Sequence, residues 1–293
     1  MLPLRDDNPT RHPPYLTLAI IALNVVAFLF WQPTFAPDTP QGEARQIAFF
    51  YCHGMIPWEV THQEPLAQGG EEAARALEEQ DPFGEDVQPQ DIQRFLARRC
   101  PQKSWWESVF VAMFLHGGWV HIGGNMLFLW IFGNNVEDKL RPLRFVVFYL
   151  LAGLAAAAAQ VAVDPDAVIP NIGASGAIAG VLGAYAVMFP HRRVLTMVMF
   201  FFVTFVYLPA YVVLGLWFVF QLFSGVGSLV EPIRTGGGGV AYFAHIGGFV
   251  FGILAALLFF PKERLGPEPL PRRPDRFGGR PWGWGAGGRD RDW

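Results

Sequence analysis

An all-α polytopic membrane protein, a bundle of six transmembrane helices, is the fold class that three observations predict. The 293-residue chain is 52% hydrophobic and only 16% charged, too apolar for an ordinary soluble domain. Its charge is clustered between apolar blocks, several of them close to the roughly 20 residues one helix needs to cross a bilayer. The short connections are also asymmetric in charge. Lys139, Arg141, Arg144, Arg192 and Arg193 share one side with both termini, and the opposite short loops hold only Arg234. By the positive-inside rule the first side is cytoplasmic, and termini on one side require an even number of spans. The net charge of −3, with acidic residues concentrated from Asp38 to Asp91, argues against a general nucleic-acid surface.

In chain order, residues 1–14 form a short polar cytoplasmic segment, and residues 15–261 form the six-helix domain. The first span, Tyr15 to Trp31, lacks a small-residue cleavage site and is predicted to be a retained anchor. Residues 32–118 form a long outer loop, Pro-containing and acid-rich, with an apolar patch at Ile47 to Tyr51 and a helical pattern at Asp91 to Arg99. It exceeds what a plain connection needs, and its aromatic content predicts a partly structured element at the membrane surface. Within it, Ser104 to Leu115 is too short to span and suits an interfacial helix with Trp105 and Trp106 at headgroup level. Cys52 and Cys100 form one disulfide if this loop faces an oxidising compartment and otherwise remain two thiols.

The second span, Trp119 to Phe132, ends at Gly133-Asn134-Asn135, and the third, Phe145 to Val163, carries an Ala155 to Ala159 run that permits close helix packing. Asp164-Pro165-Asp166 marks a loop, after which the fourth span runs from Ser175 to Pro190. Val194 to Ser224 is an apolar run of about 31 residues, too long for one helix, and Pro209 divides it. It reads either as two spans or as a surface or half-buried segment, Val194 to Tyr207, followed by one span, Leu208 to Phe223; an even span count favours the second. A Gly-rich loop, Gly225 to Gly239, precedes the last span, Ala241 to Phe260. Residues 262–293, rich in Pro, Gly and Arg, are predicted to be a disordered cytoplasmic tail.

Polar groups at membrane depth are costly and are kept mainly where they pair or act. Ser175 stands between glycines at the head of an apolar run, in Asn-Ile-Gly-Ala-Ser-Gly-Ala-Ile-Ala-Gly. The six-span arrangement places it at the outer end of span four, at the depth of His245 on span six. His245, Gly248 and Gly252 share one helical face, and span four offers Gly176, Ala179, Gly180 and Gly183, so the two helices can approach closely. A serine needs a neighbouring base to become a nucleophile, and His245 is the candidate base of a Ser-His dyad. His121 and Asn125, spaced i, i+4 on span two, are candidate donors for a developing oxyanion, together with the Ser175 backbone N–H. Taken singly, each has a plainer role: packing for Ser175, an interfacial side chain for His121, a helix–helix hydrogen bond for Asn125, a proton or metal pathway for His245. Their common depth favours the joint reading. His116 reads as structural, and His53, His62 and His191 as surface residues. No metal or other cofactor is expected, because Cys52, His53 and His62 have no second cluster to complete a site.

These residues resemble the rhomboid family of intramembrane serine proteases. The likeness rests on His116 and the His121-x-x-x-Asn125 pair in HGGWVHIGGNMLFLW, Gly173-Ala174-Ser175-Gly176 in GASGAIAG, and Ala244-His245-Ile246-Gly247-Gly248 in AHIGG. The stretches NNVEDKL and LPAYVVLGLWFVFQL are similar to bacterial members, which implies the bacterial inner membrane. The resemblance implies catalytic Ser175 and His245 in a water-filled cavity open to the outer face. It also implies hydrolysis of peptide bonds in or next to the transmembrane segments of substrate proteins. The helix around Leu208 to Phe223 and the loop Gly225 to Val240 would be gate and cap. Some members carry a Tyr four residues after the serine to stack on the histidine; here that position is Ala179, so other groups must orient His245. A rhomboid-like adaptor that binds transmembrane helices without cutting them is the alternative. A transporter would need ionisable residues along the full membrane depth, and here the polar residues gather at one end.

Overall fold

In the computed structural model, residues 1–35, 39–82, 87–199, 202–230 and 241–259 are described. The tail 262–293 and most of the Gly-rich loop therefore lie outside the described residues. The chain opens with a strand, β1 (Leu2–Asp6), where a polar lead-in was expected. Helix α1 (Tyr15–Val26) continues through one π turn to Trp31. The long loop is indeed structured: α2 (Pro40–His53), α3 (Pro57–His62), α4 (Gly70–Gln80) and α5 (Pro89–Arg99) form a helical layer. That layer has its own small core, including Tyr51, Ile56, Trp58, Leu66, Leu77 and Leu96. Cys52 and Cys100 are bonded to each other and tie the end of α2 to the end of α5. His53 and His62 are half-buried rather than surface residues, because His53 packs against Trp31 and Phe49 and His62 stacks on Trp58.

Then come α6 (Trp105–Val111), α7 (Trp119–Phe128) and α8 (Asn134–Leu140). A π turn at Leu129–Gly133 joins the last two, so the second span does not stop at Gly133. Two long partners follow, α9 (Pro142–Val163) and, after the loop, α10 (Ser175–Met188). The apolar run after α10 begins as a β-hairpin, β2 (Arg193–Met199) and β3 (Val203–Pro209), and ends as one helix, α11 (Ala210–Val230). The run is thus a sheet segment followed by a single helix. Helix α12 is Tyr242–Phe259. By length and composition α9 and α12 can each cross a membrane alone, while Tyr15–Trp31, Ser175–Met188 and the Ala210–Val226 part of α11 are shorter apolar stretches.

The centre of the bundle is the trio α9, α10 and α12, and glycine decides its spacing. A Cβ on Gly248 would collide with the Gly176 carbonyl, and one on Gly252 with the Gly180 carbonyl. On the other flank Gly176 and Gly180 face Ala156 and Ala152 of α9. These contacts make α10 parallel to α12 and antiparallel to α9. Helix α9 continues for seven residues beyond Ala156, so Ser175 is recessed by roughly 10 Å from the end of that helix. The buried core around the trio includes Phe132, Phe145, Tyr149, Leu182, Tyr185 and Leu214.

At the opposite end the polar residues after span two lock the N-terminal segment. Glu137 accepts from the Leu16 N–H (3.0 Å), the Thr17 N–H (2.7 Å) and the Thr17 hydroxyl (2.7 Å). A carboxylate there satisfies free donors at the start of α1 and complements its dipole. Asp138 accepts from the Arg11 and His12 N–H groups and bonds the His12 ring. Strand β1 pairs antiparallel with β2, giving a three-stranded sheet in the order β1-β2-β3, and Asp6 at its end accepts from the Tyr185 hydroxyl (2.7 Å) and from Asn135 Nδ2 (2.7 Å).

Candidate active site

Ser175 is the first residue of α10, and the segment leading to it is held from two sides. Asn171 and Met55 exchange backbone hydrogen bonds of 2.7 and 3.2 Å, which fastens the loop layer to this segment. The Gly173 N–H donates to the Ala112 carbonyl at 2.8 Å. Gly173 has φ +129°, a conformation that side chains rarely tolerate, so glycine is required here for the chain to turn into the helix.

His245 lies in the first turn of α12, brought to α10 by the glycine contacts below it. Ser175 Oγ and His245 Nε2 are 2.7 Å apart. On the other side of the ring, Nδ1 is 2.8 Å from Gln221 Oε1 on α11. An amide oxygen only accepts, so Nδ1 carries the proton and Nε2 presents its lone pair to the serine hydroxyl. Gln221 is buried, and the Trp217 ring lies tilted against the same imidazole with centroids 6.0 Å apart. With Ala at position 179, Gln221 and Trp217 are the groups that contact the His245 ring from α11. Gln221 is the site residue that the sequence reading missed. The signal was present, because a glutamine inside the apolar α11 is a polar group at membrane depth as much as any histidine.

His121 and Asn125, one turn apart on α7, face the same space. The Gly117 N–H donates to His121 Nδ1 at 3.3 Å, which leaves Nε2 as the protonated nitrogen. A Cβ built on Gly173 would lie 2.8 Å from His121 Nε2 and 3.4 Å from Ser175 Oγ. The missing methyl group is therefore an atom-sized gap between a hydroxyl and an N–H donor. Asn125 is buried and its Nδ2 has no hydrogen-bond partner, an expensive arrangement for a protein to keep without use. The backbone N–H groups of the first turn of α10 add further donors, since a helix start leaves them unpaired.

His116 is fully buried beside His121, with ring centroids 5.1 Å apart. Its backbone is clamped by Gln32, which accepts from its N–H and donates to its carbonyl, both at 2.8 Å. His116 does not touch Ser175 or His245 in any recorded contact; it sits behind His121. Among the described residues no cluster of His, Cys, Asp or Glu could hold a metal ion.

The rhomboid domain profile matches residues 102–262, which include every residue of the site. The chain is 31% identical over 155 residues to Rhomboid protein 1, mitochondrial, of Saccharomyces cerevisiae, covering 50% of this chain and 40% of that protein. It is 40% identical over 83 residues to Rhomboid protease GluP of Bacillus subtilis, covering 28% of this chain and 16% of that one. RHOMBOID-like protein 4 of Arabidopsis thaliana is 30% identical over 175 residues, 57% of this chain and 39% of its own length. The chain thus spans less than half the length of these curated relatives, and mitochondrial and plant proteins match as well as bacterial ones. With the domain profile covering more than half of its length, the chain belongs to the rhomboid family of integral membrane proteins.

Proposed function

We propose that this protein is an intramembrane serine endopeptidase in which Ser175 and His245 hydrolyse peptide bonds in or next to transmembrane segments of other membrane proteins. The observation that carries the proposal is the 2.7 Å contact between Ser175 Oγ and His245 Nε2, with the imidazole fixed from behind by Gln221. In the first half-reaction Ser175 Oγ attacks the scissile carbonyl carbon as its proton passes to His245 Nε2. The carbonyl oxygen, now negative, enters the gap beside Gly173 and receives hydrogen bonds from His121 Nε2, Asn125 Nδ2 and the Ser175 N–H. The C–N bond then breaks, and the leaving amine takes the proton from His245. Water, deprotonated by the same nitrogen, attacks the acyl-serine ester and releases the acid product and the serine. Gln221 is a positioning residue: it keeps Nδ1 protonated and the ring aimed at the serine.

The recess of Ser175 below the end of α9 supports a substrate that reaches the site from the bilayer as an unwound segment, since an intact helix shields its peptide bonds. With Lys and Arg concentrated at the sheet end, the positive-inside rule puts that end in the cytoplasm and the recess toward the outer face. Labelling of the purified protein with a fluorophosphonate tests the chemistry directly. The reading expects a single adduct on Ser175 that is lost in His245→Ala. An adduct elsewhere, or undiminished labelling of Ser175 without His245, would refute the base assignment.

A further inference from the structure

The β2–β3 hairpin presents a surface that the peptidase reading leaves unexplained. Its register sets Leu195 opposite Tyr207, Met197 opposite Phe205 and Met199 opposite Val203, and Leu2 of β1 lies opposite Met197. Residues paired across strands share a face. On the other face Val194 and Thr196 are fully buried against the bundle, and Val198, Thr204, Val206 and Leu208 are half-buried. Yet the outward face is apolar as well, with Arg5 at its margin. Met199 is 61% exposed, Val203 55%, Phe205 59% and Tyr207 58%, and Phe202 near the turn is 76% exposed. An antiparallel sheet with one face in water normally alternates apolar and polar residues, and this one does not.

Three features say what covers it. The face runs without interruption into α11, which begins directly after Pro209 and exposes Tyr211, Leu216 and Phe220 along its length. Those side chains belong to a membrane helix, so the medium they face continues onto the hairpin. Second, β3 is one edge of the sheet, as β1 is the other, and no described strand pairs with its outer side. Open sheet edges do not occur in hydrocarbon, so the strand must lie where its backbone can still reach water or headgroups. Third, Arg5, Arg192 and Arg193 flank the hairpin at its β1 side and base. Basic residues there complement anionic phosphates at a charged surface.

We propose that the hairpin is an interfacial membrane anchor in the leaflet opposite the Ser175 opening, with its apolar face on the acyl chains of anionic phospholipids and its arginines at their phosphates. Because the anchor is continuous with α11, whose Gln221 holds His245, lipid contact at the hairpin would steady the helix that orients the catalytic base. The placement depends on family membership in the membrane, and not on peptidase activity.

The test uses the full chain. Cys52 and Cys100 are bonded to each other, so a cysteine introduced by Phe205→Cys or Tyr207→Cys is a unique site for an NBD fluorophore. The labelled protein is placed in vesicles of phosphatidylglycerol and phosphatidylcholine, with Glu78→Cys on exposed α4 as the aqueous reference. The proposal expects blue-shifted emission at 205 and 207, quenching by lipids carrying a nitroxide high on the acyl chain, and several-fold less quenching by iodide than at 78. Emission and iodide quenching equal to those at 78 would overturn it. Protection from both quenchers that disappears when the protein is diluted in lipid would show a second copy on this face, and would overturn it too.

Discussion

At the sheet end of the bundle, Asp6, Glu137 and Asp138 each accept at least two hydrogen bonds and tie the N-terminal segment to α8 and α10. At the other end, Asn125 Nδ2 is buried without a hydrogen-bond partner, and Gly173 leaves a gap between His121 Nε2 and Ser175 Oγ. Both ends carry polar side chains inside an apolar protein. The first serves as a clamp, although Asn8 Nδ2 beside it also lacks a partner, whereas the donors of the second, His121 and Asn125, match the proposed oxyanion site. Unsatisfied polar atoms are costly, and the proposed oxyanion role gives Asn125 Nδ2 a use that offsets its cost.

Substitutions separate the two ends. The largest effect is expected on the open donors: His121→Ala and Asn125→Ala should each lower kcat by roughly 100- to 1,000-fold with little change in thermal stability, measured on a cleavable transmembrane peptide. Equal activity in both variants would remove them from the oxyanion site. Next, Gln221→Ala leaves His245 Nδ1 without its acceptor and should cost about 1–3 kcal/mol of transition-state stabilisation, roughly 10- to 100-fold in kcat. Gln221→Glu should restore part of the rate and move the acid limb of the pH profile, a change that a merely structural glutamine would not produce.

Packing between the ends comes third. Gly252→Val forces a side chain into the Gly180 carbonyl and should destabilise the fold by about 1–3 kcal/mol, seen as a lower Tm with activity falling in parallel. Retained Tm would mean that α10 and α12 separate without cost.

The smallest effect concerns the clamp. Burial pushes the Asp6 carboxyl up to about 6 from 3.8. Between those values the folded protein binds more protons than the unfolded chain, so stability falls as pH rises through the window and levels off above it. Asp6→Asn should flatten that slope while leaving activity near neutral pH unchanged. An unaltered slope would place the titration on another group.

Much of this was legible in the residues. Apolar length located the helices, since the thickness of the bilayer sets it. Ser175, His245, His121 and Asn125 stood out because each is polar in an apolar run. Gln221 obeyed the same rule and was overlooked among the chemically more familiar histidines. The sheet was hidden for a physical reason: Val194 to Tyr207 is apolar on both faces, so the period of two that announces a strand is absent, and β1 finds its partner nearly 190 residues along the chain. The Cys52–Cys100 bond was equally open, because spacing alone does not decide between a bond and two thiols.

The central claim is that Ser175 and His245 act as one unit. Its most direct test is cleavage of a model transmembrane substrate by purified protein in liposomes, comparing wild type with Ser175→Ala, His245→Ala and the double variant, each checked for an unchanged Tm. The account predicts cutting near the membrane boundary by wild type alone, and losses that do not add, so that the double variant is no worse than either single one. Cleavage that survives Ser175→Ala, or single losses that multiply in the double variant, would contradict it.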